Sequence, residues 1–232
     1  MAFRDISLSV KNFLRSVSSC LQDPKKYTQY IRYALFGIAF AVLGGFAFVG
    51  HGWYVASRER AAEKDLSAYV SQYYNAFNNP EAAWGQVASL FEVGYMQHSS
   101  SLLAPYFLAY QADALLQHGN VDQAIEVMQQ VLKKLPESSP FYALFRMKYN
   151  LIILDQPEHP ETQAALIALH EIGSDKTNTI FEAALFYLGR YHFVHNNVQE
   201  AKEVWQELRA TAVDENPSAF VQEAEEYLEL VG

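Results

Sequence analysis

Histidine is the residue type in this sequence that could carry acid–base or metal chemistry, and its seven copies are scattered along 232 residues. His192 and His195 are the closest pair, and three residues apart at a helix end is a spacing that two metal ligands can use. The same spacing fits a structural role, in which His192 packs inside a helical hairpin and His195 begins a turn. We favour the structural role, because His192 falls at a packing position of a helical hairpin and His195 at the turn that follows.

The motifs of the common enzyme classes are missing from the sequence. There is no HExxH, no paired cysteine, no GxSxG and no glycine-rich phosphate loop. The acidic run at residues 223–229 has its glutamates on the outer face of a predicted helix, which indicates a solvated surface rather than a metal site. The sequence therefore predicts a protein that is not an enzyme and that needs no cofactor and no metal.

One uncharged stretch, residues 33–56, separates two parts of the chain with different compositions. As a helix, these residues would rise about 36 Å, which is enough to cross a hydrocarbon layer of about 30 Å with some tilt. A cleaved signal peptide is less favoured, because its apolar region would be shorter and would end in small residues. We predict three segments: a tail at 1–32, a single transmembrane helix at 33–56 and a domain at 57–232.

The charges on either side of this stretch predict its orientation. Residues 1–32 hold six Lys and Arg against two Asp and Glu, whereas residues 57–232 hold eleven against 24. Basic residues beside a first membrane helix favour the cytoplasmic side. The tail is therefore expected in the cytoplasm and the domain outside it. The acidity of the domain argues against nucleic acid as a partner.

Two further sequence patterns occur near the predicted span, one before it and one within it. Residues 3–21 alternate apolar and basic residues at helical spacing, which is typical of a helix on a membrane surface. A helix packed on a partner protein and a loosely ordered tail are the alternatives. Within the span, Gly37, Ala41 and Gly45 recur every four residues, and this spacing predicts a face on which another membrane helix can pack.

After the span the apolar residues continue at helical spacing, first to residue 77 and then in a series of helical hairpins. No stretch combines β-branched residues with strict alternation, so no sheet is expected. The fold class predicted is all-α, a single transmembrane helix followed by a solenoid of helical hairpins. The predicted helices after the span are at 80–93, 102–117, 121–135, 140–154, 161–172, 179–194, 198–212 and 217–230.

Two of these hairpins resemble tetratricopeptide repeats. Small residues would let the two helices of each hairpin approach, and Ala124 or Ala201 would fill the facing position. A degenerate unit around Ala164 and Ala165 would lie between the two. The pattern positions are occupied by Leu108, Ala112, Leu115, Gly119, Ala124, Met128 and Pro136 in one hairpin, and by Leu185, Gly189, His192, Asn196, Ala201 and Trp205 in the other.

The order of segments is similar to that of the YfgM-like family, membrane-anchored tetratricopeptide proteins of the bacterial envelope. The stretch LLAPYFLAYQADALLQHGNVDQAIEVMQQVL carries the resemblance best. The resemblance implies a location in the bacterial inner membrane, with the carboxyl-terminal domain in the periplasm. It also implies partnership with subunits of the SecY-type translocon and with a membrane-anchored prolyl-isomerase-like chaperone.

The first helices of stacked hairpins line a concave surface, which is where a polypeptide segment would bind. The function predicted is a protein-binding module held at the membrane, ancillary to protein export. The alternative is a structural subunit of a secretion or envelope-assembly complex. The residues predicted to line this groove are Tyr106, Ala109, Asp113, Leu116, Ala183, Phe186, Arg190 and Phe193.

Overall fold

The computed structural model describes residues 24–79, 81–156, 158–211 and 217–231. The amphipathic segment predicted at 3–21 lies outside these residues, and so do the side chains of Gly37 and Ala41 in the predicted membrane-helix packing face. Gly45, the third member of that face, has no other atom within 4 Å of an added Cβ. The packing face therefore stays a prediction.

The described residues form nine helices and no strand, as the periodicity predicts. The chain divides into two compact units, Met1–Arg58 and Glu59–Gly232. Among the described residues, no helix has both the length and the apolar character required to cross a membrane. The helices are α1 (Pro24–Phe77), α2 (Trp84–Gln97), α3 (Ala104–His118), α4 (Val121–Lys134), α5 (Tyr142–Leu154), α6 (Thr162–Ser174), α7 (Phe181–Val194), α8 (Val198–Ala210) and α9 (Ala219–Val231).

The predicted helix boundaries are confirmed to within a few residues, because local turn chemistry sets them. The helix predicted to continue past residue 56 ends at Phe77. Helix α3 ends at Gly119, whose φ of 87° is a left-handed conformation that glycine adopts without steric cost. Helix α7 ends similarly before Asn196, with a φ of 62°, and asparagine tolerates this region better than most residues.

Each helix from α2 to α9 packs on its neighbours in sequence, α5 also contacts α7, and α7 also contacts α9. Contacts of this kind between successive hairpins are typical of a repeat stack. The largest core cluster runs from α2 to α7, and a second one joins α7, α8 and α9. The stack of helical hairpins predicted for this domain is confirmed.

The small residues predicted at the hairpin seams are buried. Ala124 and Ala201 have no exposed surface, and Ala165 occupies the same fourth position of α6 with 1 % exposed. The facing small position is Ala112 in α3, Gly189 in α7 and Asn150 in α5. The middle unit therefore follows the repeat architecture, although a polar residue stands at its small position and a longer loop joins its helices.

Replacing a seam alanine by leucine should destabilise the domain. Ala124→Leu and Ala201→Leu are each expected to lower the free energy of unfolding by about 1–3 kcal/mol, because the added side chain would overpack a closed contact. Urea unfolding followed by circular dichroism measures the effect. Ala164→Leu is the control, since Ala164 is exposed on α6 beside the buried Ala165. Equal midpoints for the seam variants and the control would contradict the repeat register.

Candidate functional site

A cleft of about 490 Å³ lies among the end of α1, α3 and α5, and we call it the aromatic cleft. Four of its large apolar side chains are exposed: Tyr74 by 57 %, Phe77 by 61 %, Phe141 by 46 % and Leu144 by 38 %. Clustered exposed apolar residues of this kind mark interaction sites on soluble domains. The cleft is lined by Tyr73, Tyr74, Phe77, Tyr106, Ala109, Tyr110, Asp113, Phe141, Leu144, Phe145 and Lys148.

The rings of the aromatic cleft are held by edge-to-face contacts across its three helices. Tyr73 of α1 meets Tyr110 of α3 with ring centroids 5.3 Å apart. Tyr106 of α3 meets Phe141, just before α5, at 5.9 Å and Phe145 of α5 at 6.0 Å. Such arrangements are favourable for aromatic quadrupoles. The cleft is therefore shaped by packed rings that connect three hairpins.

Two charged groups lie in the aromatic cleft, and they are paired with each other. Asp113 of α3 and Lys148 of α5 form an ion pair between neighbouring hairpins. Burial raises the pKa of the Asp113 carboxyl, and the nearby Lys148 ammonium opposes that shift. At neutral pH the carboxylate is therefore stabilised by one cation, which the adjacent hairpin supplies.

The hydroxyls of Tyr73 and Tyr110 in the aromatic cleft remain protonated well above neutral pH. Burial, and then the negative charge of Asp113, raise the pKa of Tyr73 to about 12. The pKa of Tyr110 is also raised, by burial and by the neighbouring Tyr74. A phenol with a raised pKa is a neutral hydrogen-bond donor at every physiological pH. The cleft therefore offers hydroxyl donors among apolar rings.

A second cleft, of about 340 Å³, lies between α5 and α7, and we call it the mixed cleft. Arg190 is exposed in this cleft. The His195 ring stacks on Tyr191 with centroids 4.0 Å apart, and its Nδ1 is 2.8 Å from the carbonyl oxygen of Tyr191. The lining residues are Leu151, Leu154, Asp155, Tyr187, Arg190, Tyr191, Val194 and His195.

The residues predicted to line one groove are distributed over several environments. Tyr106, Ala109 and Asp113 line the aromatic cleft, and Arg190 lines the mixed cleft. Leu116 is half-buried and Ala183 is buried, both within the largest core cluster. The eight residues therefore do not share one surface, and a role for any of them in binding stays a prediction.

Helix α9 accounts for the position of the two predicted phenylalanines. Phe186 is only 2 % exposed, because the rings of Phe220 and Tyr227 pack on it from α9 at 5.7 and 6.3 Å. Phe193 is half-buried against Tyr227, at 5.5 Å, and against Trp205 of α8. Both side chains therefore belong to the core that closes the stack.

Sequence reasoning missed most of the aromatic cleft. Its signal was present as aromatic and aliphatic residues three and four apart in two segments, Tyr73, Tyr74 and Phe77 in α1, and Phe141, Leu144 and Phe145 at α5, with Lys148 one turn further on. The residues at α5 were not assigned to a surface because the middle hairpin matches the repeat pattern poorly. Without a register for α5, its inner face could not be identified.

The histidine pair occupies structural positions. His192 is half-buried in α7, and its Nδ1 has no hydrogen-bond partner among the described residues. Burial lowers the pKa of His192, Glu200 opposes this shift, and His195 adds to it. His195 caps the end of α7, as its predicted place in a turn requires. Within the described part of the chain, no group of three His, Cys, Asp or Glu residues could hold a metal ion.

The comparison with protein families agrees with this architecture. A tetratricopeptide repeat family model matches residues 108–138, which are most of α3, all of α4 and the turn that follows. The comparison with curated proteins gives no match. Together with the stacked helical hairpins, the match defines a protein that contains tetratricopeptide repeats. Repeats of this kind generally bind other proteins and are typically not catalytic.

Proposed function

We propose that this chain is a membrane-anchored protein-binding module of the bacterial inner membrane, and that its two clefts bind a polypeptide partner. The aromatic cleft is the main support, since it gathers four exposed apolar side chains on one face of the repeat stack. Aromatic residues are enriched among the energetic anchors of protein interfaces. The packed rings beneath them provide a preformed surface, which lowers the entropic cost of binding.

The location in the membrane is the second part of the proposal. It is supported by the sequence, in which 24 residues at 33–56 carry no charge and a basic segment precedes them. In this proposal the domain after residue 57 lies in the periplasm and the amino-terminal tail lies in the cytoplasm. Gly37, Ala41 and Gly45 then form a face for a partner's membrane helix.

The third part of the proposal is the partnership with protein export. The resemblance to the YfgM-like family supports it. The expected partners are subunits of the SecY-type translocon and a membrane-anchored prolyl-isomerase-like chaperone. The second candidate function is a structural subunit of a secretion or envelope-assembly complex, in which the same clefts hold one fixed component.

Site-specific photo-crosslinking in cells tests the proposal. A benzophenone amino acid at Tyr74, in the aromatic cleft, is expected to capture partner proteins in the membrane fraction. The same amino acid at Ile167 is the control, because Ile167 is exposed on α6 but lines neither cleft. Mass spectrometry of the adducts identifies the partners.

The adducts separate the possible outcomes. Translocon subunits together with a chaperone would support the first function, and a single stoichiometric component of another complex would support the second. Equal capture from Tyr74 and Ile167 would reject the aromatic cleft as the binding site. Recovery of the full chain outside the membrane fraction would reject the anchor.

A further inference from the structure

The aromatic cleft is electrically neutral although the surrounding chain is acidic. Its charged groups are Asp113 and Lys148, and these are paired. No Lys or Arg occurs between residues 65 and 132, so Lys148 is brought to this cleft from a later hairpin. The other titratable groups that line the cleft are the hydroxyls of Tyr73, Tyr74, Tyr106 and Tyr110, and the pKa values of Tyr73 and Tyr110 are raised. An entering side chain therefore meets no unpaired charge.

An ion pair of this kind disfavours charged side chains of either sign. A lysine of the ligand would have to compete with Lys148 for Asp113, and a carboxylate would have to compete with Asp113 for Lys148. In each case the competitor loses its hydration on entering a cleft of aromatic rings, and this costs free energy. An apolar side chain has no such cost and gains from burial against the exposed rings.

Helix α5 connects the two clefts. Leu144 and Lys148 line the aromatic cleft, and Leu151 and Asp155 line the mixed cleft. The members of each pair are seven residues from their counterparts, so the α5 residues that line the two clefts lie about 10 Å apart along the axis of α5. One continuous ligand that runs along this face of α5 can therefore reach both clefts.

Two ligand conformations place side chains on one face at about this distance. In polyproline II, residues three apart lie on the same face about 9 Å apart. In an α-helix, residues seven apart are separated by about 10 Å. Polyproline II leaves its backbone carbonyls without internal partners, and the Tyr73 hydroxyl, whose pKa is raised, is a neutral donor that lines the cleft. Aromatic-lined grooves bind this conformation in other recognition domains.

We infer that the two clefts together bind an extended polypeptide segment with two bulky side chains three residues apart, that the anchor in the aromatic cleft is apolar, and that the Asp113–Lys148 pair selects against a charged side chain there. This inference rests on the proposed protein-binding function and names its ligand class. In this inference Asp113 and Lys148 determine which ligands are accepted. The exposed rings supply the affinity.

Binding of synthetic peptides to the full chain in lipid nanodiscs tests the inference. The probes are short fluorescein-labelled Gly–Ser peptides with two phenylalanines three residues apart, and versions in which the first or the second phenylalanine alone is replaced by methionine, lysine or glutamate. Methionine matches lysine and glutamate in length, so that this comparison isolates charge. A lysine or glutamate at the position that enters the aromatic cleft is expected to weaken binding roughly tenfold or more relative to methionine at the same position. Equal binding of charged and uncharged peptides would overturn the inference.

Two variants test the role of the ion pair. Lys148→Met leaves Asp113 without its partner, and it is expected to strengthen binding of the lysine peptide by roughly tenfold relative to the unmodified chain. Asp113→Asn combined with Lys148→Met removes both charges. This double variant is expected to bind the phenylalanine peptide as the unmodified chain does, and it should not bind the lysine peptide more tightly. If Lys148→Met is unstable, Asp113→Asn decides in its place, because it leaves Lys148 without its partner and is expected to strengthen binding of the glutamate peptide by roughly tenfold relative to the unmodified chain. A large loss in the double variant would contradict the inference.

The spacing is tested with phenylalanines one, three and seven residues apart. Tightest binding at three supports the extended ligand, and tightest binding at seven would overturn it in favour of a helical ligand. The crosslinking at Tyr74 keeps the two proposals distinguishable. If Tyr74 captures proteins in cells while no phenylalanine peptide binds, the ligand class is wrong and the protein-binding function stands. If Tyr74 captures nothing, the function itself fails.

Discussion

Phe186→Ala is expected to lower the free energy of unfolding by about 3–5 kcal/mol, the usual cost of removing a buried aromatic ring. Phe186 is enclosed by Phe220 and Tyr227 of α9 and packs on Tyr187 beside it. Because a domain of this kind is stabilised by only about 5–15 kcal/mol in total, the loss would be a large fraction of its stability. Urea unfolding followed by circular dichroism measures it.

Phe141→Ala is the matched control for this experiment. Phe141 is exposed at the aromatic cleft and contacts Tyr106 at its edge, so its loss is expected to change the stability by less than about 1 kcal/mol. The same variant is expected to reduce capture of partners from Tyr74. A stable Phe186→Ala chain that captures fewer partners would show that Phe186 contacts the ligand, and our account of α9 would be wrong.

Trp205→Ala is expected to destabilise the domain by a similar amount, about 3–5 kcal/mol. Trp205 has no exposed surface, stacks on Tyr227 with centroids 4.8 Å apart, and donates a hydrogen bond of 3.3 Å from Nε1 to the carbonyl oxygen of Phe186. It therefore joins α7, α8 and α9 at one point. Trp53→Ala is the control, since Trp53 is exposed, and it should leave the urea midpoint of the domain unchanged.

The contact between Trp205 and Gly189 adds a test of the hairpin seam. A Cβ at Gly189 would clash with the indole ring of Trp205, so Gly189→Ala is expected to cost about 1–3 kcal/mol. The other hairpin places Ala112 and Met128 at the corresponding positions. Combining Gly189→Ala with Trp205→Met should therefore cost less than the sum of the single changes, by about 0.5–3 kcal/mol. Strictly additive effects would contradict the direct contact.

The aromatic cleft could be predicted only in part, because its residues come from three helices that are separate in the sequence. Tyr106, Ala109 and Asp113 were predicted because α3 belongs to a hairpin whose repeat positions are recognisable. The cleft also needs Tyr74 and Phe77 from α1 and Lys148 from α5, which are far from α3 in the sequence. Their contribution depends on how neighbouring hairpins stack, and the middle hairpin has Asn150 where its neighbours have alanine or glycine.

The sequence by itself determined the all-helical class, the helix boundaries and the burial of Ala124 and Ala201. These features are local, since a period of 3.6 residues, turn residues such as Gly119 and small residues at fixed offsets act within one hairpin. Only the tertiary structure decided which inner-face residues stay accessible. Phe186 lies in the first helix of its hairpin, and Phe141 immediately precedes the first helix of another hairpin. Helix α9 covers the first and no described helix covers the second, because burial depends on packing between distant segments.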